Sequence, residues 1–111
     1  RTLNAVEVFH PAQARWEKLP PMPSSRSDFV AIAEGGHIYR LGGLDEYYQA
    51  LDTVERLDIH SGAWEALAPM RSPRWSFAVA AISGRLYAFG GFADGQTSAL
   101  SVAESFDPHA G

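Results

Sequence analysis

Moved along by 48 residues, this sequence lies on itself. Val6-Glu7 falls on Val54-Glu55, Trp16-Glu17 on Trp64-Glu65, Pro21-Met22 on Pro69-Met70, Arg26 on Arg74, Phe29 on Phe77, Tyr39 on Tyr87 and Gly42-Gly43 on Gly90-Gly91. Residues 6–43 laid on 54–91 agree at 15 of 38 positions. At a shift of 49, Glu55 meets Glu104 and Asp58 meets Asp107. A period near 50 means stacked copies of one supersecondary unit, none of which buries its apolar face alone. That rules out most other folds.

The unit reads as four short strands. Phe77 to Ile82 is continuously apolar, and Arg85-Leu86-Tyr87-Ala88-Phe89 follows the turn Ser83-Gly84. A strand with one wet face alternates apolar and polar residues; this one does not, so both faces of its sheet are expected to be covered. β-branched and aromatic content and the closing Gly-Gly favour strand over a helix of that length. Thr53 to Ile59 and Ala63 to Leu67 make a third and fourth strand about the turn Ser61-Gly62. Four-stranded units covered on both faces predict blades stacked around an axis.

The order Val54-Glu55-Arg56-Leu57-Asp58, Trp64, Pro69-Met70, Arg74 and Tyr87-Ala88-Phe89-Gly90-Gly91 resembles the kelch repeat. The resemblance covers essentially the whole chain. The first unit departs from it at His10, where Asp is expected, and in its proline-rich stretch 17–23. It implies an all-β fold, a kelch-type β-propeller fragment of four-stranded antiparallel blades, with strands a to d running outward from the axis. Residues 3–10 and 15–19 read as strands c and d of one blade (residues 1–20). A complete blade takes 28–34, 37–42, 53–59 and 63–67 (residues 21–69), and strands a to c of a third take 76–82, 85–90 and 101–107 (residues 70–111). About two and a quarter blades cannot close a ring, since propellers use about 4–8. The chain begins at Arg1 rather than methionine, and Gly111 matches Gly62, just before the tryptophan that opens strand d. A fragment of a longer propeller is therefore expected, with a self-assembling partial ring as the alternative.

The glycine pairs and recurring aromatics have structural work. Gly42-Gly43 and Gly90-Gly91 end strand b, where a crowded chain needs φ > 0. No helix start or P-loop lysine follows them, so they do not cradle phosphate. Trp16, Trp64, Tyr39 and Tyr87 are expected in packing between blades.

Function is sought in the loops. In an up-and-down blade the a–b and c–d turns share one face and are short here: Glu34-Gly35-Gly36, Ser83-Gly84, Ser61-Gly62. The b–c loops and d–a connections share the other. One b–c loop holds Asp45, Tyr47 and Tyr48, and the next holds Phe92 and Asp94. The d–a connections hold Arg26 and Asp28, then Arg74 and Trp75. Arginine and aromatics on one rim are enriched at binding hot spots, and two equivalent arginines can grip a carboxylate. These nine residues are the candidate partner-binding set. Because Arg26 and Arg74 repeat, the competing reading has them bracing blades through backbone carbonyls; Tyr47 and Tyr48 do not repeat, which favours contact with a partner.

The expected partner is a protein or peptide, as kelch resemblance implies for such rims, including ubiquitin-ligase substrate adaptors and actin-associated scaffolds. A net charge of −4 argues against nucleic acid, and no apolar run of about 18 residues spans a membrane. The expected compartment is the cytoplasm, with a periplasmic or secreted setting as the alternative. No catalytic, cofactor or metal site is expected. Gly-x-Ser-x-Gly, H-E-x-x-H and phosphate loops are lacking, and His60 and His109 are equivalent turn residues. Kelch-like copper radical oxidases need a cysteine, and this chain has none. The enzyme alternative is a sugar-acid mutarotase of kelch type, drawing mainly on arginines and on acids such as Glu34, Asp45 or Asp94 around an axial pocket.

Overall fold

The computed structural model describes residues 4–93 and 103–108, and every regular element among them is a strand. In chain order these are β1 (Val6–His10), β2 (Arg15–Leu19), β3 (Val30–Glu34), β4 (His37–Leu41), β5 (Val54–Asp58), β6 (Trp64–Leu67), β7 (Ala78–Ile82), β8 (Arg85–Phe89) and β9 (Ala103–Phe106). They form three antiparallel sheets, β1-β2, β3-β4-β5-β6 and β7-β8-β9. The all-β propeller-type architecture expected from the repeat is the one observed.

Strand register explains which residues are inside. Leu41 pairs with Val54 and Val54 with Leu67, while Tyr39 pairs with Ile32, so these side chains share one face of the four-stranded blade. That face meets Leu86 and Ala88 of the third blade, with Met70 closing the seam. Tyr39, Leu41, Val54 and Leu86 are each 1% exposed. This is the core. The Tyr39 hydroxyl is not orphaned there: Arg56 donates to it at 3.4 Å.

The opposite face of the four-stranded blade turns toward β1 and β2. Along it run Ile38, Arg40, Leu57 and Trp64, with Val6 and Met22 across a cavity of about 260 Å³. The Arg40 guanidinium stands 5.6 Å from the centre of the Trp64 ring. The two tryptophans thus part company. Trp64 is half-buried, but Trp16 is 65% exposed and stacks only on Phe9, at 5.1 Å. Packing between blades is therefore the role of Trp64 and not of Trp16 within these residues, because β1 and β2 turn Phe9 and Trp16 away from the neighbouring blade. Trp64→Ala is expected to cost about 2–4 kcal/mol and Trp16→Ala less than about 1 kcal/mol. Paired thermal melts check this; equal losses would refute the assignment of faces.

The covered-on-both-sides expectation for 77–82 is met on one side. Val79 and Ala81 pack on the core, whereas Ile82 is 57% exposed on the other face with Phe89.

The double glycine acquires its reason. Gly43 has φ +96, and a Cβ there would lie 2.7 Å from both Phe29 Cβ and the Ser27 carbonyl oxygen. Gly91 repeats this against Phe77 and Trp75. Only glycine fits where strand b leaves under the incoming d–a connection.

Candidate binding rim

Each d–a connection is stitched to the b–c loop of its own blade. Ser27 and Leu44 exchange backbone hydrogen bonds (3.1 and 2.8 Å), and at the equivalent place Trp75 and Phe92 do the same (3.0 and 3.0 Å). Neighbouring blades are stitched too: Gly43 N–H donates to the Arg74 carbonyl at 2.8 Å, and Ser76 N–H to the Asp28 carbonyl at 3.1 Å. Asp28 and Ser76, one repeat apart, both hold positive φ (56° and 55°) to make these turns. The rim is therefore braced by backbone, which leaves its side chains free to specialise.

Arg26 and Arg74 do not reach it. Arg74 is 0% exposed; its Nε and Nη2 donate to Glu104 Oε2 at 3.3 and 3.0 Å, and its Nη1 to the Gly90 carbonyl at 2.9 Å. Arg26 is 8% exposed, with Nη2 3.1 Å from Glu55 Oε1 and Nη1 bonded to the Gly42 carbonyl and Thr53 Oγ1. The expectation that these guanidiniums grip a partner is corrected. They lie beneath the rim, each tying a connection to the end of a strand b and to the repeated glutamate of strand c. Burial, and after it the neighbouring Arg40 charge, hold the Arg26 guanidinium below its ordinary pKa, against the pull of Glu55.

Sequence reasoning missed the other half of this network. Glu55 receives Arg40 as well as Arg26, and Arg40 also donates to the Ser24 carbonyl at 2.8 Å. Glu104 further accepts the backbone N–H groups of Arg71 (2.6 Å) and Ser72 (3.1 Å). The signal for Glu55 and Glu104 was present, since both repeat in step with the arginines. Arg40 has Ala88 as its counterpart, so nothing marked it.

The other described candidates do sit on the rim. Asp45 is half-buried and caps its own loop: Oδ1 accepts from Tyr47 N–H at 2.8 Å and Gln49 N–H at 3.0 Å, and its carbonyl accepts from Tyr48 N–H at 3.0 Å. Leu44 and Ala50, both buried, bridge at the base of this turn. Its tip holds out Tyr47, 74% exposed, and Tyr48, 81% exposed with φ 61°. Trp75 and Phe92 stack at 5.0 Å and are half-buried, where the preceding blade has Ser27 and Leu44. Asp28 is exposed between these groups in the chain of backbone contacts. Asp94 lies outside the described residues.

Of the acids of the enzyme alternative, the two described ones, Glu34 and Asp45, are not brought together. Glu34 ends β3 at an a–b turn, at the opposite end of the blade from Asp45. A polar cavity of about 280 Å³ is lined by Arg71, Ser72, Ala103, Glu104 and Ser105, and its one carboxylate is engaged by Arg74. On the far face Asp58 accepts backbone N–H groups from Ser61 and His60, which hold its carboxyl below the usual range. His60 there serves the turn; His109 lies outside the described residues.

The sequence model of the Kelch motif matches residues 25–71 and 73–111. The chain is 38% identical over 60 residues to Kelch domain-containing protein 8B of Homo sapiens, and equally to that of Pongo abelii; the match takes 51% of this chain and 17% of those proteins. It is 34% identical over 53 residues to Kelch-like protein 21 of Rattus norvegicus, 48% of this chain and 9% of that one. The matches therefore span less than a fifth of the length of these relatives.

Proposed function

The chain belongs to the Kelch motif family, and on that premise we propose that it is a protein-binding segment of a propeller, not an enzyme, which holds its partner on the rim of b–c loops and d–a connections. The observation that carries this reading is the turn at Asp45. Two neighbouring tyrosines stand almost wholly in water, on a loop too well hydrogen-bonded to be slack. Large exposed aromatics with a polar tip supply much contact area for little conformational entropy, and a preorganised turn lowers the cost of docking. Neither ring contributes to the core, so folding does not account for them.

The test separates binding from stability. Tyr47→Ala and Tyr48→Gly, alone and together, are expected to leave the melting temperature of the intact protein within about 2 °C, since surface changes stay within about 0.5 kcal/mol. Capture of its partners is expected to fall at least about tenfold, as for truncated hot-spot residues. Glycine suits position 48 because it takes the φ of 61° found there at no steric cost, which alanine does not. Unchanged capture, with loss on His60→Ala instead, would place the binding face at the c–d turns.

A further inference from the structure

Resting on this rim as the binding surface, we infer that the partner is cationic: an extended protein segment carrying lysine or arginine, its cations set on the Tyr47 and Tyr48 rings and against Asp28 and Glu46. The argument starts from where the arginines went. Arg26 and Arg74 are both buried, and their charges are met by Glu55 and Glu104 beneath the surface. What the b–c loop of the two tyrosines itself carries is of one sign: Asp45, Glu46 and Asp52 are its charged residues. Asp28 and Glu46 are exposed, Asp45 and Asp52 half-buried, and none of the four is in an ion pair among the described residues.

The described cations lie off this loop. Arg15 and Arg85 stand at c–d and a–b turns on the opposite face, and Arg56 is bound to Glu65 on its strand at 2.7 Å. Lys18 is exposed on β2, and Arg71 is exposed on the d–a connection whose Met70 N–H donates to the Asp52 carbonyl at 2.8 Å, at the base of the loop and not at its Tyr47–Tyr48 tip. The Tyr47–Tyr48 loop thus presents carboxylates outside any ion pair among the described residues next to two exposed aromatic rings. A ring face attracts a cation within about 6 Å, and a carboxylate beside it adds to the attraction. An acidic segment would meet like charge and gain nothing from the buried arginines.

Three fluorescent peptides of equal length decide it, tested on the intact protein: lysine alternating with serine, glutamate alternating with serine, and serine alone. The lysine peptide is expected to bind at least about tenfold tighter than either of the others, and to weaken steeply with added salt. Asp28→Asn with Glu46→Gln is expected to lower its affinity about five- to tenfold, and Tyr47→Ser with Tyr48→Gly more than about tenfold. Asparagine is chosen at 28 because it tolerates the φ of 56° found there. Tighter binding of the glutamate peptide, lost in the tyrosine variant, would keep the rim and overturn the cationic partner. Lysine-peptide binding that ignores the tyrosine variant would overturn the rim itself, and binding of none of the three would overturn the inference.

Discussion

Glu104→Ala is expected to destabilise the fold by about 3–5 kcal/mol, although the residue lies at a blade seam and not in the apolar core. Removing one partner of a buried ion pair leaves the other charge stranded in a low dielectric, and that cost is of this size. Arg74, 0% exposed, has its Nε and Nη2 on Glu104 and no route to water short of opening the seam. The same carboxylate satisfies the N–H groups of Arg71 and Ser72, so alanine strands these two donors as well. Arg74→Lys alone is also expected to destabilise, because one ammonium cannot serve both Glu104 and the Gly90 carbonyl in the geometry of the guanidinium fork. Pairing Glu104→Leu with Arg74→Met recovers only part of the loss, since the backbone groups of Arg71, Ser72 and Gly90 stay unsatisfied. Urea denaturation of the intact protein measures all three; a loss under about 1 kcal/mol for Glu104→Ala would mean that water reaches Arg74 after all.

How far the sequence could be read follows from what a repeat reports. Two copies in one register mark every position the blade needs, so strands, turns, the Gly-Gly exits and the seam tyrosine Tyr39 were legible. The same register marks Arg26 and Arg74 as scaffold, yet their charge suggested the surface. A charged residue type pulls the reading outward, while the pairing that permits burial lies about 30 residues away in Glu55 and Glu104, outside any local pattern. For the rim residues repetition was a better guide than charge, although Arg40, which does not repeat, is buried as well. Tyr47 and Tyr48 do not repeat and are exposed; Arg26 and Arg74 repeat and are buried. Trp16 shows the remaining gap. Its register with Trp64 is correct, but burial needs a neighbour on that face as well as a residue suited to it.

That open face sets the second large expectation: residues 1–111 on their own will not behave as a monodisperse monomer. At one end of the row Phe9 and Trp16 stand 43% and 65% exposed on one sheet face; at the other Ile82 and Phe89 stand 57% and 45% exposed. Two strands also lack a neighbour that their counterpart β5 has, since β5 lies between β4 and β6 while β1 pairs only with β2 and β9 only with β8 among the described strands. Apolar sheet faces and bare edges each invite association in water, and a stack this short buries only two seams. The two faces are unlike, one being the side of a blade that receives its predecessor and the other the side that receives its successor. Contact between copies is therefore heterologous, growing into a ring or a chain rather than stopping at a two-fold dimer. In such a contact strands β1 and β9 compete for the same place in a blade, so stable closure of a ring requires one of them to be displaced. Light scattering during a thermal scan of the isolated chain is expected to show mass rising with concentration and a broad transition, and serine at Trp16 and Phe89 together is expected to reduce the association. A single monomeric species with a sharp cooperative melt would show that these faces are content in water and that two seams suffice.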